Sequence, residues 1–186
     1  HGTHCIGTAL GPAQPPQLPR YGVATGADIY VGKVLSSSGS GTDGAVLSAI
    51  NWAVTNRCRI VSMSLGTSAQ PGDRYSQAYE AAAQRAMAAN TLLIAAAGNE
   101  SDRTNNVINP VGHPANCPSV MAVGAVDAEM NIASFSTRGM DSDGGGVDIV
   151  GPGVNVYSTV PMPGRHGRKN GTSMATQHVA GIAALY

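Results

Sequence analysis

The chain has 186 residues, with 11 Lys and Arg against 11 Asp and Glu, and so no formal net charge. Without a Lys/Arg run or basic stripe it is not built for nucleic acid, and no stretch approaches the roughly 20 apolar residues of a membrane-spanning helix. Charged residues make up only 12 %, Gly numbers 24, and Phe and Trp occur once each, so the core must be assembled from Ala, Val, Ile, Leu and Met.

In chain order, HGTHCIGTALG opens as a helix start of small residues. ADIYVGKVL (27–35) is a continuous apolar run that predicts a buried strand, and GAVLSAINWAVTN (44–56) spaces its apolar residues as a helix. RIVSMSL (59–65) predicts a second strand, RYSQAYEAAAQRAMAAN (74–90) an Ala-rich helix stopped by Asn90, TLLIAAAG (91–98) a third strand and SVMAVGAV (119–126) a fourth. Strands alternating with helices imply a parallel sheet with right-handed crossovers. Continuously apolar strands agree, because parallel strands are covered on both faces. The expected fold class is therefore α/β, with a mostly parallel central sheet, in one domain over 1–186. Residues 101–117 form a long irregular loop, which is more often functional than idle. From 127 to 168 the pattern breaks into the short pieces IASFS, VDIVGPG and VNVYST, and a last helix starts near Thr172. Neither HGTHCIG nor GIAALY reads as a natural terminus, so the chain is expected to be an internal segment of a longer protein.

Ligands of such sheets bind at the carboxyl ends of the strands. Small polar residues stand there: Ser64-Leu65-Gly66 after the second strand and Gly98-Asn99-Glu100 after the third. Three cysteines, Cys5, Cys58 and Cys117, cannot all pair, and no CxxC or metal-like spacing occurs, so buried free thiols and no metal site are expected.

Three short patterns fail on context. Gly39-Ser40-Gly41-Thr42-Asp43-Gly44 fits GxGxxG, but the next strand ends without the acidic residue that a dinucleotide ribose needs. Gly171-Thr172-Ser173-Met174-Ala175 approaches a nucleophile elbow, but Ala replaces the last Gly and no strand precedes the serine. Asn99-Glu100-Ser101 and Asn170-Gly171-Thr172 match the glycosylation acceptor but overlap the residues that carry chemistry below.

Those residues are His1, Asn99 and Ser173. A serine is a weak nucleophile until a base lies within hydrogen-bond reach, and a histidine can take its proton and return it to the leaving amine. An asparagine amide and the N–H of a serine at a helix N-terminus could hold the oxyanion. An esterase on an α/β-hydrolase fold fails on chain order, because here the histidine precedes the serine.

The stretches that carry these residues resemble the motifs of the subtilisin-like serine proteases, the subtilases. HGTHCIGT is similar to the family's histidine motif, SMSLG to its substrate-cleft strand, AAAGNE to its oxyanion motif and NGTSMATQHVAG to its serine motif. HPANCPSVMAVGAVD, ASFSTRG and VDIVGPGV fit the intervening segments, in family order and essentially end to end. The resemblance implies a three-layer αβα fold, truncated at both ends. It implies a serine endopeptidase acting through an acyl-enzyme, with His1 as general base, Ser173 as nucleophile and Asn99 as oxyanion donor assisted by Thr172. Ser64, Leu65 and Gly66 would pair with the substrate backbone, and Gly39, Ser40 and Gly41 would pair on its other side. Ala96, Ala97, Gly98 and Gly112 would line a P1 pocket whose small, uncharged walls suit a large apolar residue. It further implies a peptide or protein substrate, a secreted parent, a monomer and no cofactor for the chemistry. The alternatives are a non-catalytic peptide-binding relative and a segment inactive by itself.

Several residues take structural readings. His4 and His178 should bond locally, His166 should be solvated, and His113-Pro114 falls where the family often has a cis bond. Three departures from the family stand out. Its catalytic aspartate lies N-terminal to the histidine, and neither Asp43, Asp127 nor Asp148 matches that motif. Residues 12–20 lack the Asn and Asp ligands of a calcium loop found in relatives, which leaves calcium elsewhere as an open alternative. Gln177 stands where the family usually has Pro, and is expected to loosen the backbone after Ser173.

Overall fold

The structure, a computed structural model, describes residues 1–16, 19–139 and 145–186. The apolar runs pair side by side. β1 (Ile60–Met63), β2 (Leu92–Ala96), β3 (Met121–Val126) and β4 (Ile149–Pro152) form one sheet in that order, each neighbouring pair parallel. Ile60 lies opposite Leu92, Ile94 opposite Met121, and Val123 opposite Ile149.

Side chains along a strand alternate between faces, and both faces here are apolar. Met63, Leu93, Ala95 and Ala122 pack with Val46 and Ile50 of α2 (Asp43–Thr55) and with Tyr79, Ala83 and Ala86 of α3 (Gln77–Ala88). Ile94, Val123 and Ala125 pack on the opposite side with Ala175, Val179 and Ala180 of the last helix (Thr172–Ala183). The result is three layers, helix, sheet and helix. Leu93, Ile94 and Val123 are fully buried, and each such side chain contributes about 1.5–3 kcal/mol. Thr42 caps α2 by accepting from the Ala45 N–H at 3.2 Å. Asn90 follows α3 in the left-handed conformation, φ 60°, which satisfies the stop read from the sequence.

The first helix, α1 (Gly2–Leu10), lies against a small antiparallel hairpin of β5 (Val156–Thr159) and β6 (His166–Lys169). Buried His4 joins them: its Nε2 donates to the Val156 carbonyl at 3.0 Å, and Ser158 Oγ donates to the His4 carbonyl at 2.9 Å. The helix Thr172–Ala183 is α4 in chain order. It crosses α1 so closely at Gly181 that a Cβ there would stand 2.7 Å from Val23 and 3.1 Å from the Ala9 carbonyl.

Four expectations change. Residues 27–35 form no strand: the stretch has no ladder partner among the described residues, and Ile29, Tyr30 and Val31 are 48, 55 and 60 % exposed. An apolar run supplies a face to bury, but a strand also needs a neighbour for its backbone. The polar stretch before Asn170 forms β6, because Val156–Thr159 offers it that neighbour, with Tyr157 opposite Arg168. His166 is accordingly half-buried, stacked on Tyr157 with ring centroids 5.4 Å apart. Cys5, Cys58 and Cys117 are all free, but Cys58 is only half-buried. The His113–Pro114 bond is cis.

Candidate active site

The ends of β1 and β2 and the start of α4 meet at one cleft of about 140 Å³. Two glycines shape it. Gly98 follows β2 at φ +125°, where a Cβ would collide with the Glu100 carboxylate and lie 2.9 Å from Thr137. Gly171 precedes α4 at φ +145°. Both values lie in the region that disfavours a side chain, so the glycines of AAAGN and NGTS are required by the turns that present Asn99 and Ser173.

Asn99 is oriented by the first residue of α4. The Thr172 N–H donates to Asn99 Oδ1 at 2.8 Å, and the Thr172 hydroxyl donates to the same oxygen at 3.1 Å. A backbone N–H bonds only to the carbonyl end of an amide, so among the described residues the Nδ2 end of Asn99 is the end left free. The Thr172 hydroxyl also accepts the Gly98 N–H at 3.2 Å. Its single proton is thereby committed to Asn99, which it orients. Among the described residues the Ser173 N–H, in the first turn of α4, has no acceptor. Two uncommitted donors therefore belong to residues lining the same cleft.

Ser173 is half-buried, and its Oγ approaches the Ser64 carbonyl at 3.5 Å. Among the described residues it makes no hydrogen bond to His1. The His1 ring instead contacts the Cys5 thiol, with Sγ 3.7 Å from Nδ1 and 3.9 Å from Nε2. Burial pushes the Cys5 thiol up, against smaller opposing effects led by a hydrogen bond with Ser64, so the thiol stays neutral beside the ring. Catalytic hydrogen bonds are often long before substrate binds. The three aspartates set aside from the sequence have structural tasks. Asp43 accepts from the Tyr79 hydroxyl, Asp127 from the Asn131 N–H and Asp148 from the Ala122 N–H.

The cleft gathers Leu65, Gly66, Ala96, Ala97, Gly98, Asn99, Gly112 and Ser173 from the expected residues. His1, Gly39, Ser40, Gly41 and Ser64 do not line it. Gly39, Ser40 and Gly41 lie exposed ahead of α2, where the Ser40 carbonyl accepts the Ser36 N–H at 2.8 Å. Thr67 and His113 join the lining unforeseen, and Glu100, already placed at the carboxyl end of the third strand, amends the expectation of uncharged walls. Its signal was its place beside Asn99. Thr67 and His113 meet through a pair of 2.9 Å backbone bonds between distant segments, which no local pattern marks.

The expected loosening at Gln177 does not occur. Gln177 is buried, and its Nε2 donates to Ser62 Oγ at 2.9 Å and to Ser64 Oγ at 2.7 Å. His178, also on α4, bonds through Nδ1 to the Met174 carbonyl at 3.0 Å. Burial lowers the pKa of both His4 and His178, against opposing backbone hydrogen bonds, so both rings stay neutral and structural.

A serine at a helix start, an amide held by its carbonyl end and a cleft at the ends of parallel strands stand together in this three-layer α/β protein. The subtilase family profile (Peptidase_S8) matches residues 1–186, and the chain belongs to that family. It is 43 % identical to subtilisin DY of Bacillus licheniformis and 41 % identical to subtilisin E of Bacillus subtilis (strain 168), in both cases over 100 % of this chain. It spans 62 % and 45 % of those relatives' own lengths. Among solved structures, sphericase matches with a TM-score of 0.83 and 34 % identity over 98 % of this chain and 61 % of its own. A cold adapted subtilisin-like serine proteinase matches with a TM-score of 0.78 and 36 % identity over 100 % of this chain and 60 % of its own.

Proposed function

We propose that the protein is a serine endopeptidase that hydrolyses peptide bonds through an acyl-enzyme. The observation that carries this reading is the Asn99 carbonyl held by Thr172: Nδ2 and the Ser173 N–H, on the cleft that Ser173 lines, are two donors without a partner among the described residues. Ser173 Oγ attacks the substrate carbonyl carbon while His1 accepts its proton. The negative charge on the substrate oxygen is held by the two donors, which are oriented before the reaction begins. The C–N bond then breaks as His1 returns the proton to the leaving amine. Water, deprotonated by His1, releases the acyl group and restores Ser173.

Ser64, Leu65 and Gly66 receive the substrate backbone as an added strand, with Gly39, Ser40 and Gly41 on its other side. The P1 side chain enters between Ala96, Ala97, Gly98 and Gly112 and is large and apolar. Glu100 on the lining extends acceptance to a lysine. The kinship with subtilisins supports a secreted parent, which acts as a monomer in this reading, and among the described residues no helix is long and apolar enough to cross a membrane. No cofactor enters these steps.

The test is labelling of the full-length protein with a peptidyl phosphonate. A single adduct on Ser173, absent in Ser173→Ala together with peptide hydrolysis, supports the reading. A folded protein that binds peptide but takes no label is a peptide-binding relative instead.

A further inference from the structure

The mechanism above leaves Gln177 without a task, yet its side chain is held as closely as any in the site. It is 7 % exposed and lies one helical turn beyond Ser173 on α4. Its amide nitrogen carries two protons, and two hydroxyl oxygens receive them, Ser62 Oγ at 2.9 Å and Ser64 Oγ at 2.7 Å. Ser62 and Ser64 are two residues apart, so in extended backbone they present to the same side. With Gln177 donating to it, Ser64 Oγ turns its own proton to the Ser173 carbonyl, 2.8 Å away. The regular ladder of α4 aims the Gln177 backbone N–H at that same carbonyl. Ser64 in turn offers its carbonyl to Ser173 Oγ at 3.5 Å.

We infer that Gln177 is a positioning residue for Ser173: its amide fixes the direction of the Ser64 hydroxyl, which anchors the peptide group of the nucleophile to the strand that receives substrate. The inference rests on the reading of Ser173 as nucleophile. A proline at this position supplies neither the side-chain amide nor the backbone N–H, so the anchoring belongs to this chain's own combination of Gln177, Ser62 and Ser64. Both amide protons of Gln177 and the Ser64 hydroxyl proton have acceptors, and hydrogen bonds linked in this way hold their members in place. A displacement of about 1 Å at a reacting atom costs on the order of a hundredfold in rate.

The test uses two variants of the full-length protein. Gln177→Met keeps the volume and removes both side-chain donors. Gln177→Glu keeps the shape but accepts rather than donates, so the Ser64 proton swings from the Ser173 carbonyl to the carboxylate. Both are expected to lower kcat on a peptide anilide by about ten- to a hundredfold with KM within twofold, and to slow phosphonate labelling of Ser173 in parallel. The activity of Gln177→Glu relative to the unchanged protein is expected to rise as pH falls, because a protonated carboxyl regains one donor. Cys5, hydrogen-bonded to Ser64 and acted on by His1 and Lys169, is the titratable group at the network in both proteins; Gln177→Met, which introduces no charge, is expected to keep a constant ratio over the same pH range. If Gln177→Met does not fold, the pH-dependent ratio of Gln177→Glu decides. Unchanged kcat in the folded variants, or a ratio independent of pH, overturns the inference while labelling at Ser173 preserves the nucleophile reading. No label on the unchanged protein overturns both.

Discussion

Thr172 shows how much one hydroxyl can organise. It donates to Asn99 Oδ1 and accepts from the Gly98 N–H, and it is fully buried. Thr172→Val keeps the shape and removes both bonds. Leaving the Gly98 N–H without a partner is expected to cost about 1–3 kcal/mol of stability, measured by urea unfolding. The Asn99 amide, held then by the Thr172 N–H alone, should turn more freely, and kcat should fall more than KM rises. Glu100 offers a second test at this scale. Glu100→Gln is expected to reduce kcat/KM for a P1 lysine peptide by about two- to fivefold, the size of an exposed ion pair, and to leave a P1 leucine peptide unchanged. Paired assays on the two peptides check this.

The elements are tied by a few buried polar groups whose ionisation sets two pH windows. Glu80 of α3 accepts from the Ser119 N–H at 3.0 Å, the Ser119 hydroxyl at 2.6 Å and the Gln84 amide at 2.8 Å, pinning α3 to the turn before β3. Burial pushes its carboxyl up, but the hydrogen bonds outweigh burial and hold it below its ordinary value of 4.5. Because the folded state holds this proton less tightly, the stability from Glu80 is complete above pH 4.5 and is lost as pH falls through the lower folded value. Glu80→Ala is expected to cost about 1–3 kcal/mol at neutral pH, and Glu80→Gln to flatten the acid limb, both read by urea unfolding. His4 on α1 and His178 on α4 are neutral in the fold because burial lowers them. Unfolding frees each to take a proton at its ordinary 6.5, so their contribution is complete above that pH and declines below it through the folded values. The melting temperature is therefore expected to fall from pH 7.5 to 5.5, and less steeply in His178→Gln.

For the molecule as a whole, the three thiols give a count that tests the packing. Burial, reinforced by the Glu80 charge, pushes Cys117 up to about 12, and Cys5 is also raised and buried. A disulfide reagent is expected to titrate Cys58 promptly in the native protein and all three thiols in denaturant; three prompt thiols would contradict the packing. Much of this architecture was legible in the chain. The runs around Ile94 and Val123 are apolar throughout because both faces of the sheet are covered, and the helices declare themselves by spacing. Asn99 and Ser173 were legible because one stands at the end of an apolar run and the other at the start of the last helix, in stretches that resemble the subtilase motifs. What stayed hidden depends on partners distant in sequence. The run 27–35 looks like a strand from its own residues, and only the absence of a ladder neighbour says otherwise. Thr67 and His113 enter the cleft through a bridge across 46 positions, and Thr172 reveals its orienting bond only when Asn99 stands beside it.

The bridge from Gln177 to Ser62 and Ser64 also has an evolutionary consequence. The three side chains work as one hydrogen-bonded unit, so substitutions among them are coupled in inheritance. A lineage that changed Gln177 to proline would release position 62 from its need for a hydroxyl, whereas position 64 would keep its contact with the Ser173 carbonyl. Among relatives with glutamine at the matching position, hydroxyl or other accepting side chains at 62 should persist; among those with proline, position 62 should drift.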